Sequence, residues 1–270
     1  MSFAETTKNG VTVTYSQGIA GAGGAVHAFS TRLGGVSAGI YASLNLGSTR
    51  GDDPDCVREN YRRFFAAIGA DADSIAMSNQ IHSDLVRPVT CADVKRDLYD
   101  VEPYEVDGLV TDIPGVSLVV FGADCLPVLF YDPVRRVAAA AHAGWRGTAA
   151  GIVERAVEKM AFYGSRPEDI LAAIGPGISR CCFETHEDVP NAMTSALGVC
   201  ATPYIDPIEN GKFKVDLKGI NAMRLERAGL LPEHIAVSGD CTACHPEKYW
   251  SHRVTNGVRG SQAAVIELLK

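Results

Sequence analysis

No apolar run in the 270-residue sequence approaches the length of a membrane span; the longest small-apolar stretch, residues 137–145 (VAAAAHAGW), is interrupted by His142. Basic charge is also in short supply. Lys and Arg number 25 against 32 Asp and Glu, for a net charge of −7, and the cations are scattered. This excludes a nucleic-acid backbone and a membrane surface as partners but leaves room for a small anion held by a few converging arginines. The opening residues, MSFAETTKNGVTVTYSQG, lack the basic-then-apolar order of an export signal, so a cytoplasmic chain is expected. There is no repeat, low-complexity tract or linker, and a single domain over residues 1–270 is expected, as a monomer. The glycines match neither a Rossmann fingerprint nor a Walker A loop, which argues against nucleotide binding of those kinds.

Cysteine, by contrast, is well represented. Eight are present, including the adjacent pair Cys181-Cys182. In a cytoplasmic setting they read as thiols or metal ligands rather than as a disulfide framework. Cys241-Thr242-Ala243-Cys244-His245 has the spacing of c-type haem attachment, but that attachment is made outside the cytoplasm, and a five-residue match arises easily by chance.

Short apolar runs alternate with amphipathic segments. AVHAFSTR (25–32), VDGLVTD (106–112), VSLVVFGAD (116–124), PVLFYD (127–132) and RVAAAAHAG (136–144) read as strands. The short spacings among the last four predict sheet neighbours joined by turns such as Tyr131-Asp132-Pro133. A helix opens at Asp53-Pro54, with Val57, Tyr61, Phe64, Phe65 and Ile68 on one face and Gly69 at its end. A second is predicted from about Thr148 to Tyr163, a third after Asp216, and a last one from about Ser261 to the C-terminus. Consecutive strands mixed with helices predict an α+β fold of layered mixed sheets flanked by helices.

Three segments end an apolar run with a His or Cys just before the chain turns polar or glycine-rich: NQIHSDL with His82, VVFGADCLPVLF with Cys125, and AAAHAGWRGTAAG with His142. Strand ends are where side chains converge on a pocket. Two imidazoles and a thiolate suit zinc, with the fourth tetrahedral position open for water or substrate, and copper is the chemical competitor. The bland alternative is a core thiol and two unrelated hydrogen-bonded histidines. After His142, Gly144 and Gly147 lead into a helix start with Arg146 alongside, a place for an anion, or else a plain strand-to-helix turn. Gly175-Pro176-Gly177 precedes Cys181-Cys182 and Glu184, and reads as a close-approach turn or a structural one. Arg32 and Asn45 are polar residues beside strand ends; Asn45 reads either as a hydroxyl contact or as a turn cap.

FSTRLGGVS, SLNLG, NQIHSDLV, DGLVTD, GADCLPVLFYDP, AAAHAGWRGTAAGIV, IGPGISRCCFE and GDCTACHPEKYWSHR occur in this order across most of the chain. Together they resemble the YfiH-type laccase-domain family, whose members have been called multicopper polyphenol oxidases, purine nucleoside phosphorylases and the peptidoglycan editing factor PgeF. The resemblance implies a zinc site on His82, Cys125 and His142, each of which matches the family pattern. It also implies that Cys241 and Cys244 are family sequence without haem. The chain departs from the family after Arg253, where Val254 stands in place of a second arginine, which leaves the role of Arg259 open.

The activity implied is phosphorolysis of purine nucleosides (adenosine, inosine, guanosine, methylthioadenosine), with adenosine deamination as a second activity and a nucleoside and phosphate as partners. Cys125, His82, His142, Asp124 and Arg146 are the expected catalytic residues; Arg32, Asn45, Glu184 and Arg253 are the expected substrate contacts. Asp124 or Glu184 would protonate the departing base, and Asp124 reads equally as a support for a ligand. The rivals are a hydrolase of a peptidoglycan precursor with Cys125 as nucleophile, a copper-dependent polyphenol oxidase, and a non-catalytic zinc protein whose fourth ligand is Cys181 or Cys182.

Overall fold

Two six-stranded sheets dominate the computed structural model, which describes residues 1–101 and 104–270. The first has the spatial order Phe3–Lys8 (β1), Val11–Ser16 (β2), Ala25–Ser30 (β3), Gln262–Leu268 (β15), Ser117–Gly122 (β7) and Ile75–Ala76 (β4). The second runs Ile235–Val237 (β14), Leu171–Ile174 (β10), Leu126–Asp132 (β8), Val137–Ala143 (β9), Gly108–Thr111 (β6) and Val86–Pro88 (β5). Glu184–Thr185 (β11), Lys212–Val215 (β13) and Ile205–Ile208 (β12) form a small third sheet. The helices are Gln17–Ala22 (α1), Pro54–Ile68 (α2), Trp145–Ala150 (α3), Ile152–Ala161 (α4), Asp188–Leu197 (α5), Leu217–Arg227 (α6) and His252–Thr255 (α7).

Side-chain alternation stacks these elements in layers. Leu118 and Val120 of β7, with Ala264 and Ile266 of β15, face Leu129 and Tyr131 of β8 and Ala138 and Ala140 of β9 across the inter-sheet core. The alanines keep β9 thin, which leaves room for Phe29 and Tyr131 between the sheets. The opposite faces take helices. Val119 and Val265 pack on Val57, Tyr61, Phe64 and Phe65 of α2. Val128, Phe130, Ala139 and Ala141 pack on Ile152, Val153, Ala156 and Met160 of α4, with α5 and α6 beside them. Each fully buried Val, Leu, Ile, Phe or Met side chain stabilises by about 1.5–3 kcal/mol relative to exposure. The order helix, sheet, sheet, helices, with parallel pairs β4–β7, β5–β6 and β10–β14 among antiparallel ones, is the layered α+β arrangement expected.

The caps of α2 also follow the sequence. Asp53 accepts from the Asp55 N–H at 2.9 Å, Pro54 opens the helix, and Gly69 closes it in the left-handed region. Asp216 caps α6 through the Gly219 N–H.

Three expectations are corrected. The C-terminal segment is the strand β15, buried along its whole length between β3 and β7, and a two-sided burial of this kind leaves no amphipathic stripe to distinguish strand from helix. The helix predicted over 148–163 is divided into α3 and α4 at Gly151, whose φ is +94°. Of the four closely spaced strands, β8 and β9 are sequential neighbours and β6 pairs with β9, but β7 lies in the other sheet. The chain therefore changes sheets between Gly122 and Leu126, and that crossing carries Asp124 and Cys125. No described helix is long and apolar enough to cross a membrane.

Candidate active site

The crossing is held from below by Asp124, a non-glycine residue at φ +89°. Its carboxylate is fully engaged: one oxygen accepts from Thr242 Oγ1 at 2.6 Å, the other from Ser251 Oγ at 3.1 Å and the Arg253 N–H at 2.7 Å. A strained backbone so firmly tied fixes where the next residue, Cys125, points. His142 is the penultimate residue of β9, opposite Pro127 in the β8 register, which sets its ring beside Cys125. His82 comes from the loop before β5, at φ +64°. Gln80 fastens that loop to the end of β7: its side-chain amide accepts from the Phe121 N–H at 2.7 Å and donates to the Phe121 carbonyl at 2.9 Å.

Asp107, fully buried at the entry to β6, joins both histidines. It accepts from the backbone N–H groups of Ile81, His82 and Ser83, from Ser83 Oγ, and pairs with His142 Nδ1 at 2.8 Å. Burial alone would raise its carboxyl, but His142 and the Ser83 donors outweigh that and hold it at about 2. With Nδ1 committed to Asp107, Nε2 of His142 is left for the site. His82 Nε2 lies 3.9 Å from Cys125 Sγ, the two imidazole rings meet edge to face at 4.9 Å, and one ligand atom from each of the three residues lies within 4.8 Å of the others. Ligands of a tetrahedral zinc ion stand roughly 3.5 Å apart when one is sulfur and one nitrogen, so the set fits a metal with small adjustments. Burial works against charge on both Cys125 and His142, yet the thiol is drawn below its ordinary value by the His142 charge and by hydrogen bonds from His142 and His82, while the imidazole is drawn up by the Cys125 thiolate and Asp107. Gly144 completes the fit: a Cβ there would come 2.9 Å from His82 Cδ2 and 3.1 Å from Cys125 Sγ.

The ligand set opens on a cleft of about 420 Å³. His82, Cys125 and Asp124 line it together with Arg50, Arg146, Arg253 and Arg259, the aromatic rings of Trp145 and Phe183, the apolar Ile178 and Leu217, and His252 of α7. Arg259 is largely withdrawn from solvent, which, with the neighbouring Arg50 charge, lowers its guanidinium to about 10. Its Nη1 meets the Gly260 carbonyl and Ser261 Oγ, and its buried Nε finds no partner among the described residues. Larger hollows of about 470 and 680 Å³ lie elsewhere, without a ligand set of this kind on their walls.

The sequence-predicted residues divide accordingly. His82, Cys125, Asp124, Arg146 and Arg253 line the cleft, and His142, buried, joins them through its contact with His82 and Cys125. Arg32 does not: its guanidinium binds the carbonyls of Ala42 and Pro246 and stacks on Trp250, bracing the loops there. Asn45 is fully buried, with its amide divided among Asp52, Gly47 and Ser261. The Glu184 side chain pairs with Lys212 and is absent from the cleft lining. Asp124 supports the turn rather than presenting a free oxygen. Cys181 and Cys182 gather with Cys241 and Cys244, apart from the His82 set. Sequence reasoning missed Asp107, Gln80, Arg50 and His252; the Asp-Gly pair ahead of an apolar strand and the glutamine two residues before His82 were the signals available.

The family described as multi-copper polyphenol oxidoreductase laccase matches residues 26–269. A purine nucleoside phosphorylase of Deinococcus radiodurans is 42% identical over 243 residues, covering 90% of this chain and 88% of its own. Purine nucleoside phosphorylase YfiH of Escherichia coli is 35% identical, covering 89% and 92%. Among solved structures, YlmD from Geobacillus stearothermophilus superposes with a TM-score of 0.91 at 33% identity, covering 98% of each chain. The His-Cys-His set, the cleft it opens on and these matches along nearly the whole chain lead to one placement: the chain belongs to the laccase-domain family, alongside YfiH and YlmD.

Proposed function

We propose that the chain is a zinc-dependent purine nucleoside phosphorylase, with zinc on His82, Cys125 and His142. The observation that carries this reading is the meeting, in one cleft, of an open three-ligand set with four arginines and two aromatic rings. Its relatives named purine nucleoside phosphorylase support it.

Phosphorolysis joins a phosphate oxygen to the anomeric carbon while the bond to the base breaks; the base leaves with the electron pair and takes a proton. Each demand has a candidate on the cleft wall. Arg50 and Arg259 repel one another when the cleft is empty of anions, and the unpartnered Arg259 Nε has a hydrogen bond to offer, so a dianion relieves both conditions. Arg146, stacked on Trp145 at 4.2 Å, and Arg253 extend the positive wall. Trp145 and Phe183 offer flat surfaces to a purine. His252 is the imidazole on the wall that is free of the ligand set, and we assign it the proton for the departing base; Asp124, with both oxygens occupied, is unsuited to that role. Asp107 and Gln80 are positioning residues that keep His142 and His82 in place. Zinc held there would supply a Lewis acid suited to either phosphate orientation or a deaminating water.

Adenosine incubated with zinc-loaded protein, with and without phosphate, beside Cys125→Ala, tests the assignment by chromatography. Adenine and ribose 1-phosphate appearing only with phosphate, and lost in the variant, are expected. Inosine as the main product would make deamination the leading activity. Unchanged adenosine in every tube, with zinc content verified, would overturn the assignment for this substrate.

A further inference from the structure

Two peptide segments far apart in sequence bring four sulfurs together beside the cleft. Cys181 and Cys182 follow the Gly175-Pro176-Gly177 turn; Cys241 and Cys244 occupy a Cys-x-x-Cys turn after β14. One sulfur from each lies within 4.8 Å of all the others, and Cys244 Sγ stands 3.5 Å from Cys181 Sγ and 3.4 Å from Cys182 Sγ. A disulfide would bring one pair to about 2.05 Å and leave the rest out. Four thiolates about a single zinc ion at about 2.3 Å stand roughly 3.8 Å apart, close to what is found.

The Cys241 sulfur has a backbone donor aimed at it: its Sγ accepts from the Ser179 N–H at 3.3 Å. The turn itself is fixed, since Cys244 and His245 both donate their N–H to the Cys241 carbonyl at 3.2 Å. The two segments are already in register: Gly177 bridges to Cys241, and the Thr242 N–H bonds the Gly177 carbonyl. A buried cation accompanies them. Lys218 is 6% exposed, and its Nζ is bonded to the carbonyls of Ser238 and Asp240 within reach of the Cys241 field. A tetrathiolate zinc centre carries two net negative charges, and a buried ammonium beside it offsets part of that.

We propose that Cys181, Cys182, Cys241 and Cys244 form a second metal site, a closed tetrathiolate zinc centre independent of the reaction carried out in the cleft. Four protein ligands leave no position for substrate, so its role is structural. What it fastens is the cleft wall. The 177–184 segment contributes Ile178 and Phe183 to the lining, and Arg253 is anchored on the carbonyls of Cys182 and Glu184. The Cys241 turn in turn carries Thr242, the partner of Asp124. Zinc here ties the arginine wall and the sheet crossing to one point.

Zinc counted against protein by mass spectrometry, on chain purified under reducing conditions from zinc-supplemented medium, gives the first test. Two equivalents are expected in the wild-type chain, one in Cys125→Ala, and one in the Cys181→Ser/Cys244→Ser double variant, whose replaced side chains are exposed. Cobalt in place of zinc in Cys125→Ala gives the second, which does not depend on the double variant folding. Intense sulfur-to-cobalt charge transfer with tetrahedral ligand-field bands is expected. A single equivalent in the wild-type chain that disappears in Cys125→Ala, iron rather than zinc in the cluster, or a disulfide among the four cysteines in that reduced preparation would each overturn the proposal.

Discussion

His82, Cys125 and His142 were legible as a set because each ends an apolar run, where a reactive side chain has few structural reasons to be. Asp107 was not, although it does as much to build the site. An aspartate before a glycine reads as a turn residue, and its partners lie 24 to 35 positions away. Arg32 and Asn45 misled for the complementary reason: polar residues near strand ends are chosen as often to satisfy loop backbone as to meet a ligand. Asp107→Asn tests the residue-scale account. Both carboxylate oxygens accept hydrogen bonds, so either orientation of the amide turns an N–H group toward donors from the 81–83 loop or His142. The expected result is a loss of about 10- to 100-fold in zinc affinity, the usual effect of removing a partner behind a ligand. Chelator competition measures it, and an affinity equal to wild type would show that the His142 ring is held by packing alone.

At the scale of elements, periodicity located β3, β6, β7, β8, β9, α2 and α6 within a few residues, since each has one face or a full run of apolar side chains and recognisable ends. It failed where continuity of pattern concealed a change of direction. The apolar spacing of Ile152, Val153, Ala156 and Met160 runs on from Thr148 with no sign of a break, yet the helix divides at Gly151, so that α4 lies on β9 while α3 begins directly after β9, the strand that carries His142. Gly151 at φ +94° is the residue that allows it, and a Cβ at that position would stand 3.1 Å from Glu154 Oε2 and 3.4 Å from Arg224 Nη1. Arg224, buried against the Ala149 carbonyl and Glu154, has little room to give. Gly151→Ala is therefore expected to destabilise the chain by about 1 kcal/mol or more, from left-handed backbone strain and the crowded pair together. Urea unfolding measures this; an unchanged midpoint would mean that α3 and α4 can merge without loss.

At the scale of the molecule, the first sheet joins the chain's two ends: β15 lies between β3 and β7, so the sheet is complete only once the last residues are in place. No local pattern announces such a pairing, because β15 comes long after both of its partners, β3 near the start of the chain and β7 near its middle. His27 sits in this seam, opposite Ile266 of β15, and its Nε2 accepts the Ser16 N–H at 2.9 Å. Burial lowers the imidazole from 6.5 to about 4, so the folded seam holds it neutral while the unfolded chain takes up a proton in the interval. The sign follows directly. Between pH 6.5 and about 4 the unfolded state binds more protons, so the stability contributed by neutral His27 is complete above 6.5 and is lost as the pH falls, by up to about 1.4 kcal/mol per pH unit. His27→Gln keeps an acceptor for Ser16 but cannot titrate. Urea unfolding of both chains at pH 7, 6 and 5 isolates the effect, because the remaining acidic groups and histidines contribute to each alike. The variant is expected to lose less stability between pH 7 and 5 than the wild-type chain; parallel losses would mean that His27 is protonated within the fold and that the seam opens to water.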